Sequence, residues 1–216
     1  MEKTLGAAAI GIRGLSLAET IDLARETGFD SISFDVREAA NLAADHEHDF
    51  DDVDQLFRRS GVRPGLWSVP VAWRDGENRD EELRVLPGLA AFARRLGSHR
   101  ATSGFRPGSD EHAFDENLAW HVERLRPVAE ALASEGCVLG LEFIGPKTFR
   151  APFRHEFIST LEGTMELAER IGTGNVGVLL DAWHLYTSGG DNADIAKLRG
   201  EDVVVVHVND APPNVP

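Results

Sequence analysis

Four residues stand where apolar runs give out: Glu142 in VLGLEF, Asp181 and His184 in VGVLLDAWH, and His207 in VVVVHVND. A carboxylate at the mouth of a buried run costs free energy unless it is paired or holds a cation. Glu142 has two such outlets, a metal ion or a basic residue of the loop that follows. Asp181 is either a ligand or the N-cap of a helix starting at Ala182, with His184 then on that helix's surface. His207 interrupts what otherwise reads as a buried strand, so it is a satisfied core group or a ligand. Jointly, two carboxylates and an imidazole on consecutive strand ends suit Mn²⁺, Mg²⁺, Co²⁺ or Zn²⁺. The expected metal set is Glu142, Asp181 and His207.

Other residues near these ends bear on substrate. The loop 144–156, IGPKTFRAPFRHE, carries Lys147, Arg150, Arg154 and His155 in an acidic chain. Loops after strands carry function, so Lys147 and Arg154 are candidates to hold an anionic or polyhydroxy substrate; the alternative is a solvated loop. Trp67, Trp73, Phe105 and Trp183 would stack on a sugar where they face the mouth, and pack the core where they do not. Trp183 is the candidate of that set. Asn209 or Asp210 would orient the His207 ring, or else open a simple turn with the prolines that follow. His46 and His48, in ADHEHDFDD, read as a second metal site or as a solvated loop.

Residues so far apart in sequence meet only if their strands are neighbours. Runs rich in β-formers at 6–11, 30–35, 62–67, 98–103, 137–143, 176–181 and 203–208 predict strands. Between them, i, i+3, i+4 spacing predicts helices at 16–27, 50–60, 79–96, 116–135, 157–171 and 191–199. Ser16 and Glu19 form a capping box, and Gly28 ends that helix. Gly61, Gly97, Gly136 and Gly172 follow four others. Alternation without a long linker implies parallel βαβ units in one domain over 1–216. The expected fold is an α/β (β/α)8 TIM barrel, in which strand ends gather on one face. Such a barrel takes about 250 residues, and the pattern here is one helix, one strand and a final helix short, as if truncated after the seventh strand. A doubly wound sheet is the runner-up, but no GxGxxG opens a helix after the first strand.

The composition excludes several classes. The chain has 216 residues, 42% hydrophobic and 27% charged, enough for one buried core. A net charge of −14, from 36 acidic and 22 basic residues, repels phosphate backbones and argues against nucleic acid. No apolar stretch has membrane-spanning length. The N-terminal MEKTLGAAAIGIRG is too short in apolar content for a secretory signal. The single Cys137 forms no internal disulfide, which fits a cytoplasmic setting.

Three segments, GLEFIGP at 140–146, LLDAWHLY at 179–186 and VVHVNDAP at 205–212, together resemble the sugar phosphate isomerase/epimerase superfamily, the xylose-isomerase-like barrels. The resemblance implies Glu142, Asp181 and His207 as ligands of a divalent metal, with Glu142 also the base and His184 in contact with substrate. It implies an isomerase or epimerase that transfers a proton next to the carbonyl of a ketose or inosose, a small polyhydroxy substrate, through a metal-bound enediolate. The family's second Glu, a fourth ligand and partner base, has no counterpart before Pro216, and NDAPPNVP lacks the Arg often found there. A chain ending at Pro216 is therefore expected to be inactive, with VVVVHV as an open sheet edge, and poorly soluble unless a partner chain, such as another copy in a homo-oligomer, completes the barrel. An inosose-dehydratase-like lyase would use the same metal and base, and a non-catalytic barrel would only bind. An endonuclease-IV-like repair enzyme would need further histidines where Trp67-Ser68 and Thr102-Ser103 stand.

Overall fold

Parallel strands wrapped by helices form the frame, in a computed structural model that describes residues 2–45 and 49–209. The strands are β1 (Thr4–Leu5), β2 (Ser31–Phe34), β3 (Arg63–Ser68), β4 (Arg100–Gly104), β5 (Gly108–Ser109), β6 (Val138–Glu142), β7 (His155–Glu156), β8 (Val176–Asp181) and β9 (Val203–His207). The helices are α1 (Leu17–Thr27), α2 (Val36–Ala43), α3 (Phe50–Ser60), α4 (Arg79–Leu96), α5 (Phe114–Ser134), α6 (Lys147–Arg150), α7 (Leu161–Ile171), α8 (Ala182–Ser188) and α9 (Asn192–Ile195). One sheet runs β1-β2-β3-β4-β6-β8-β9 with every pairing parallel, and β5 and β7 make a separate antiparallel ribbon.

Side-chain alternation divides each strand between two surroundings. Leu139 and Leu141 of β6, with Val178 and Leu180 of β8, join a core that includes Leu125, Val128 and Leu132 of α5 and Leu167 of α7. Each such side chain, fully buried, contributes about 1.5–3 kcal/mol. Gly140, Glu142, Leu179 and Asp181 alternate with them on the other face. Strands two apart in a flat sheet lie about 9–10 Å from each other. Yet a Cβ on Gly140 of β6 would lie 3.1 Å from the Val204 Cβ of β9. The sheet therefore curls strongly here, as in a barrel wall.

Beside that contact β9 carries one extra residue. Val178 pairs with Val203, Leu179 with Val205 and Asp181 with His207, leaving Val204 as a bulge. Gly140 and Gly177 make room for it. A Cβ on Gly177 would stand 3.1 Å from Val204 Cγ2 and would collide with the Asp202 carbonyl.

The first strand differs from expectation. It is Thr4–Leu5, while Ala8–Ile10 form a turn of 3-10 helix closed by Gly11 at φ 84°. Leu5 is 4% exposed and Ile10 is 66% exposed, so the alanine run supplies no strand core. Helix α2 is an addition, nucleated by the Asp35 carboxylate, which accepts from the Arg37 and Glu38 N–H groups at 2.8 and 3.0 Å. Helix α6 is likewise an addition, whereas α8 starts at Ala182 behind an Asp181 cap, one of the two readings of that segment. No helix among the described residues is long and apolar enough to cross a membrane.

Candidate metal centre

The carboxyl ends of β6, β8 and β9 bring the four residues together. Glu142 closes β6 and Asp181 closes β8, and Asp181 stands beside His207 in the β8–β9 register. Glu142, Asp181 and His184 each offer a ligand atom within 4.8 Å of the others. His207 Nδ1 lies 3.6 Å from Glu142 Oε1 and 3.8 Å from Asp181 Oδ2. Both imidazoles thus reach the carboxylate pair, whereas sequence reasoning gave only His207 to the metal. Among the described residues Glu142 makes no ion pair with a lysine or arginine, so the loop offers it no counter-charge.

Asp181 fills one of the two roles foreseen for it, the helix cap. Its Oδ1 accepts from the Trp183 and His184 N–H groups at 2.8 and 3.0 Å, which caps α8. The Asn209 side-chain amide donates to Oδ1 at 3.1 Å and to Oδ2 at 2.9 Å. Buried to 6% exposure, the carboxylate is held in one orientation by four donated bonds, with Oδ2 left toward His207. Asn209 therefore fixes Asp181 and not the His207 ring.

His184 stands against a backbone that only glycine permits. The Gly145 N–H donates to His184 Nδ1 at 3.3 Å. A Cβ at position 145 would collide with the His184 carbonyl and stand 2.6 Å from Thr187 Oγ1. Because Nδ1 accepts, the neutral ring carries its proton on Nε2, which is then a donor. That arrangement suits a hydrogen bond to a substrate oxygen better than ligation. Sequence reasoning missed Gly145, whose signal was the glycine in GLEFIGP.

His207 is half-buried beside two carboxylates. The facing Glu142 raises its pKa above the ordinary histidine value, partial burial opposes this, and the charges of Glu142 and Asp181 add to the rise. At 3.6 Å the His207–Glu142 contact is longer than a hydrogen bond, so the charge, more than a bond, is what the imidazole feels. Such a cation-seeking pair of carboxylates with adjacent imidazole nitrogen is a donor set that fits a divalent ion.

The remaining candidates are spread out. Lys147 opens α6 and is exposed, and Arg154 is exposed with its backbone N–H bonded to Asp110 Oδ1 at 2.9 Å. Among the described residues neither side chain makes an ion pair. The engaged cation of that loop is Arg150, which donates to Ser159 Oγ at 3.1 Å. Trp183 is partly exposed at the start of α8, 6.2 Å from the Tyr186 ring. Trp67, Trp73 and Phe105 are buried in the core. His46, His48 and Asp210 lie outside the described residues.

Residues 21–215 match the model of a protein family described as xylose isomerase-like TIM barrel. The chain belongs to that family. A xylose isomerase domain protein from Alicyclobacillus acidocaldarius is 32% identical, with a TM-score of 0.84 over 100% of this chain and 77% of that one. Inosose isomerase of Halalkalibacterium halodurans is 20% identical over 205 residues, 94% of this chain and 70% of the relative. The IOLI protein with a binding zinc atom shares the fold at 19% identity and a TM-score of 0.75, over 97% of this chain and 73% of that one.

Proposed function

We propose that this barrel is a metal-dependent isomerase or epimerase of a small polyhydroxy carbonyl compound. The observation that carries the reading is the convergence of Glu142, Asp181, His184 and His207 at neighbouring strand ends. Glu142, Asp181 and His207 would hold a divalent cation, which supplies a Lewis acid that makes a carbon next to a carbonyl acidic enough for a carboxylate base. That a relative of the same fold was solved with zinc supports this donor set, and an inosose isomerase among the relatives supports the substrate class.

Glu142 takes the proton from carbon. Its side chain is 23% exposed, so a substrate can reach it. Asp181 is buried and its Oδ1 is occupied by capping bonds, so it acts as a fixed charge and not as a shuttle. His184 donates from Nε2 to a substrate oxygen while Gly145 holds the opposite nitrogen. Trp183 would cover the substrate's apolar face.

The test is exchange of C–H hydrogen next to the carbonyl in deuterated water, for a panel of ketoses and inososes with added Mn²⁺, Mg²⁺, Co²⁺ or Zn²⁺. Exchange that requires the metal and disappears in Glu142→Gln supports the reading. Loss of water from the compound would reassign the chemistry to a lyase. No exchange in any compound, with metal bound, would overturn proton transfer altogether.

A further inference from the structure

One strand away from Glu142 lies a second group of chemically capable residues. The loop after β3 and the residue two beyond β4 line an open cavity of about 280 Å³, whose walls include Val71, Trp73, Arg74, Asp75, Gly76 and Arg106. Both segments leave the carboxyl ends of their strands, the face that bears Glu142, Asp181 and His207. The link to Glu142 is short. Gly104 pairs with Glu142 across β4 and β6. A Cβ on Gly104 would stand 3.6 Å from Glu142 Oε2. The Phe105 N–H donates to the Glu142 carbonyl at 3.3 Å, and Arg106 is the next residue.

The cavity has a fixed wall. Trp73 is buried, and its indole N–H donates to Ser103 Oγ at 2.9 Å. The Ala72 N–H donates to Glu82 Oε2 at 2.7 Å, and the Arg37 guanidinium donates to the Pro70 carbonyl at 2.7 Å. The Gly76 N–H closes the turn onto the Ala72 carbonyl at 3.0 Å. A Cβ there would lie 2.5 Å from the Ala72 Cβ, so the turn requires glycine. The Arg74 guanidinium lies 5.3 Å from the centroid of the Trp73 ring, which helps to hold it in place.

Two guanidiniums share this space in a chain whose net charge is −14. Asp75 also lines it. Among the described residues neither Arg74 nor Arg106 has a carboxylate within ion-pair distance. Burial holds the Arg74 pKa below its ordinary value and the charge of Arg106 lowers it further, against Asp75. Arg74 is half-buried and Arg106 exposed, and holding two like charges together on this wall costs free energy until an anion joins them. The planar guanidinium fork matches a carboxylate or a phosphate.

We infer that the Arg74–Arg106 cavity binds an anionic group, phosphate or carboxylate, of the molecule whose carbonyl end is worked at Glu142. The anion site stands on its own geometry; its link to substrate rests on the proton-transfer reading above. The substrate is then a sugar-sized polyhydroxy carbonyl compound with an acidic end, and Arg74 and Arg106, not Lys147 and Arg154, receive that end.

The probes are inorganic phosphate and, separately, malonate, titrated against the full chain and followed through the Trp73 indole N–H resonance. A saturable shift with one of them identifies which anion the cavity takes. Arg74→Gln and Arg106→Gln should each weaken it about tenfold or more, the worth of a charge-assisted hydrogen bond, and leave cobalt affinity at the Glu142 centre unchanged. Absence of a saturable shift with both anions, or a shift that survives both substitutions, overturns the site. Anion binding without hydrogen exchange in any compound supports the cavity and overturns the proton-transfer reading. Exchange that favours neutral ketoses over phosphorylated or carboxylated ones overturns the substrate assignment.

Discussion

The imidazole of His121 sets an acid limit on stability that one substitution should lift. It lies in α5, 3% exposed, stacked on Phe157 at 4.5 Å between centroids and edge-on to Trp73 and Phe105 at 5.6 and 5.9 Å. Nδ1 is 2.8 Å from the Asn117 carbonyl and so carries the proton, while Nε2 has no partner among the described residues. Burial pushes the pKa down to about 4, the Asn117 carbonyl resists, and Arg74 and His112 add to the fall. A histidine depressed in this way stabilises the fold above its unfolded pKa of about 6.5, and that stability is lost as the pH falls toward 4. Proton uptake at these two values makes the loss about 2 kcal/mol between pH 8 and pH 5. His121→Phe keeps an aromatic ring among Trp73, Phe105 and Phe157 and removes the orphaned nitrogen. At pH 8 it should therefore match the parent within about 1 kcal/mol. Urea unfolding of both proteins at pH 8 and pH 5 gives the answer, since every other titrating group is common to both. The parent should lose about 2 kcal/mol more than the variant over that interval. Parallel curves, or a His121 titration by NMR near the ordinary histidine value, would refute the argument.

Asn209→Ala leaves the Asp181 carboxylate without its side-chain donor and should weaken metal binding roughly 10- to 100-fold, by calorimetry with Co²⁺ or Zn²⁺. His207→Ala should weaken it at least as much, and equal affinity in both variants and the parent would remove the centre. His184→Gln should retain metal while turnover falls; metal loss equal to that of Asp181→Ala would make His184 a ligand. Gly177→Ala pushes a methyl group against Val204 and the Asp202 carbonyl, an overpacking cost of about 1–3 kcal/mol, and should reduce metal affinity by displacing His207. A variant as stable and as tight-binding as the parent would show that β9 adapts freely.

Why the convergence of Glu142, Asp181 and His207 could be read from the sequence, and its fine structure could not, follows from distance along the chain. VGVLLD and VVVVH announce strands because their apolar side chains have one use, and each run ends on a residue that has another. The alternation of Leu139 and Leu141 with Gly140 and Glu142 already says which face the carboxylate shares. GAAAIG failed as a strand because alanine and glycine carry little β preference, and Thr4–Leu5 took the place beside β2. Helix α2 was hidden because Asp35 acts as a cap in a segment that continues a strand. The tautomer of His184 depends on an N–H 39 residues away. The anchoring of Asp181 by Asn209 spans 28 residues. No local pattern encodes either.

The extra residue in β9 gives the aim of His207 a margin of one. Residues 203–206 are all valine, so removing any one of them gives the same chain. That chain still has a valine for each of Val178, Leu179 and Leu180, so it can close the bulge and keep His207 beside Asp181. Removing a second draws on no slack and, because side chains alternate, turns the imidazole to the outer face. The Val204 bulge thus divides the neighbourhood into two regimes of tolerated change. The segment ahead of β9, through α9, can gain or lose residues without altering which way His207 points. Within β9 one residue can be lost and the next cannot. A deletion series through 191–206 would show tolerance end at the second valine removed.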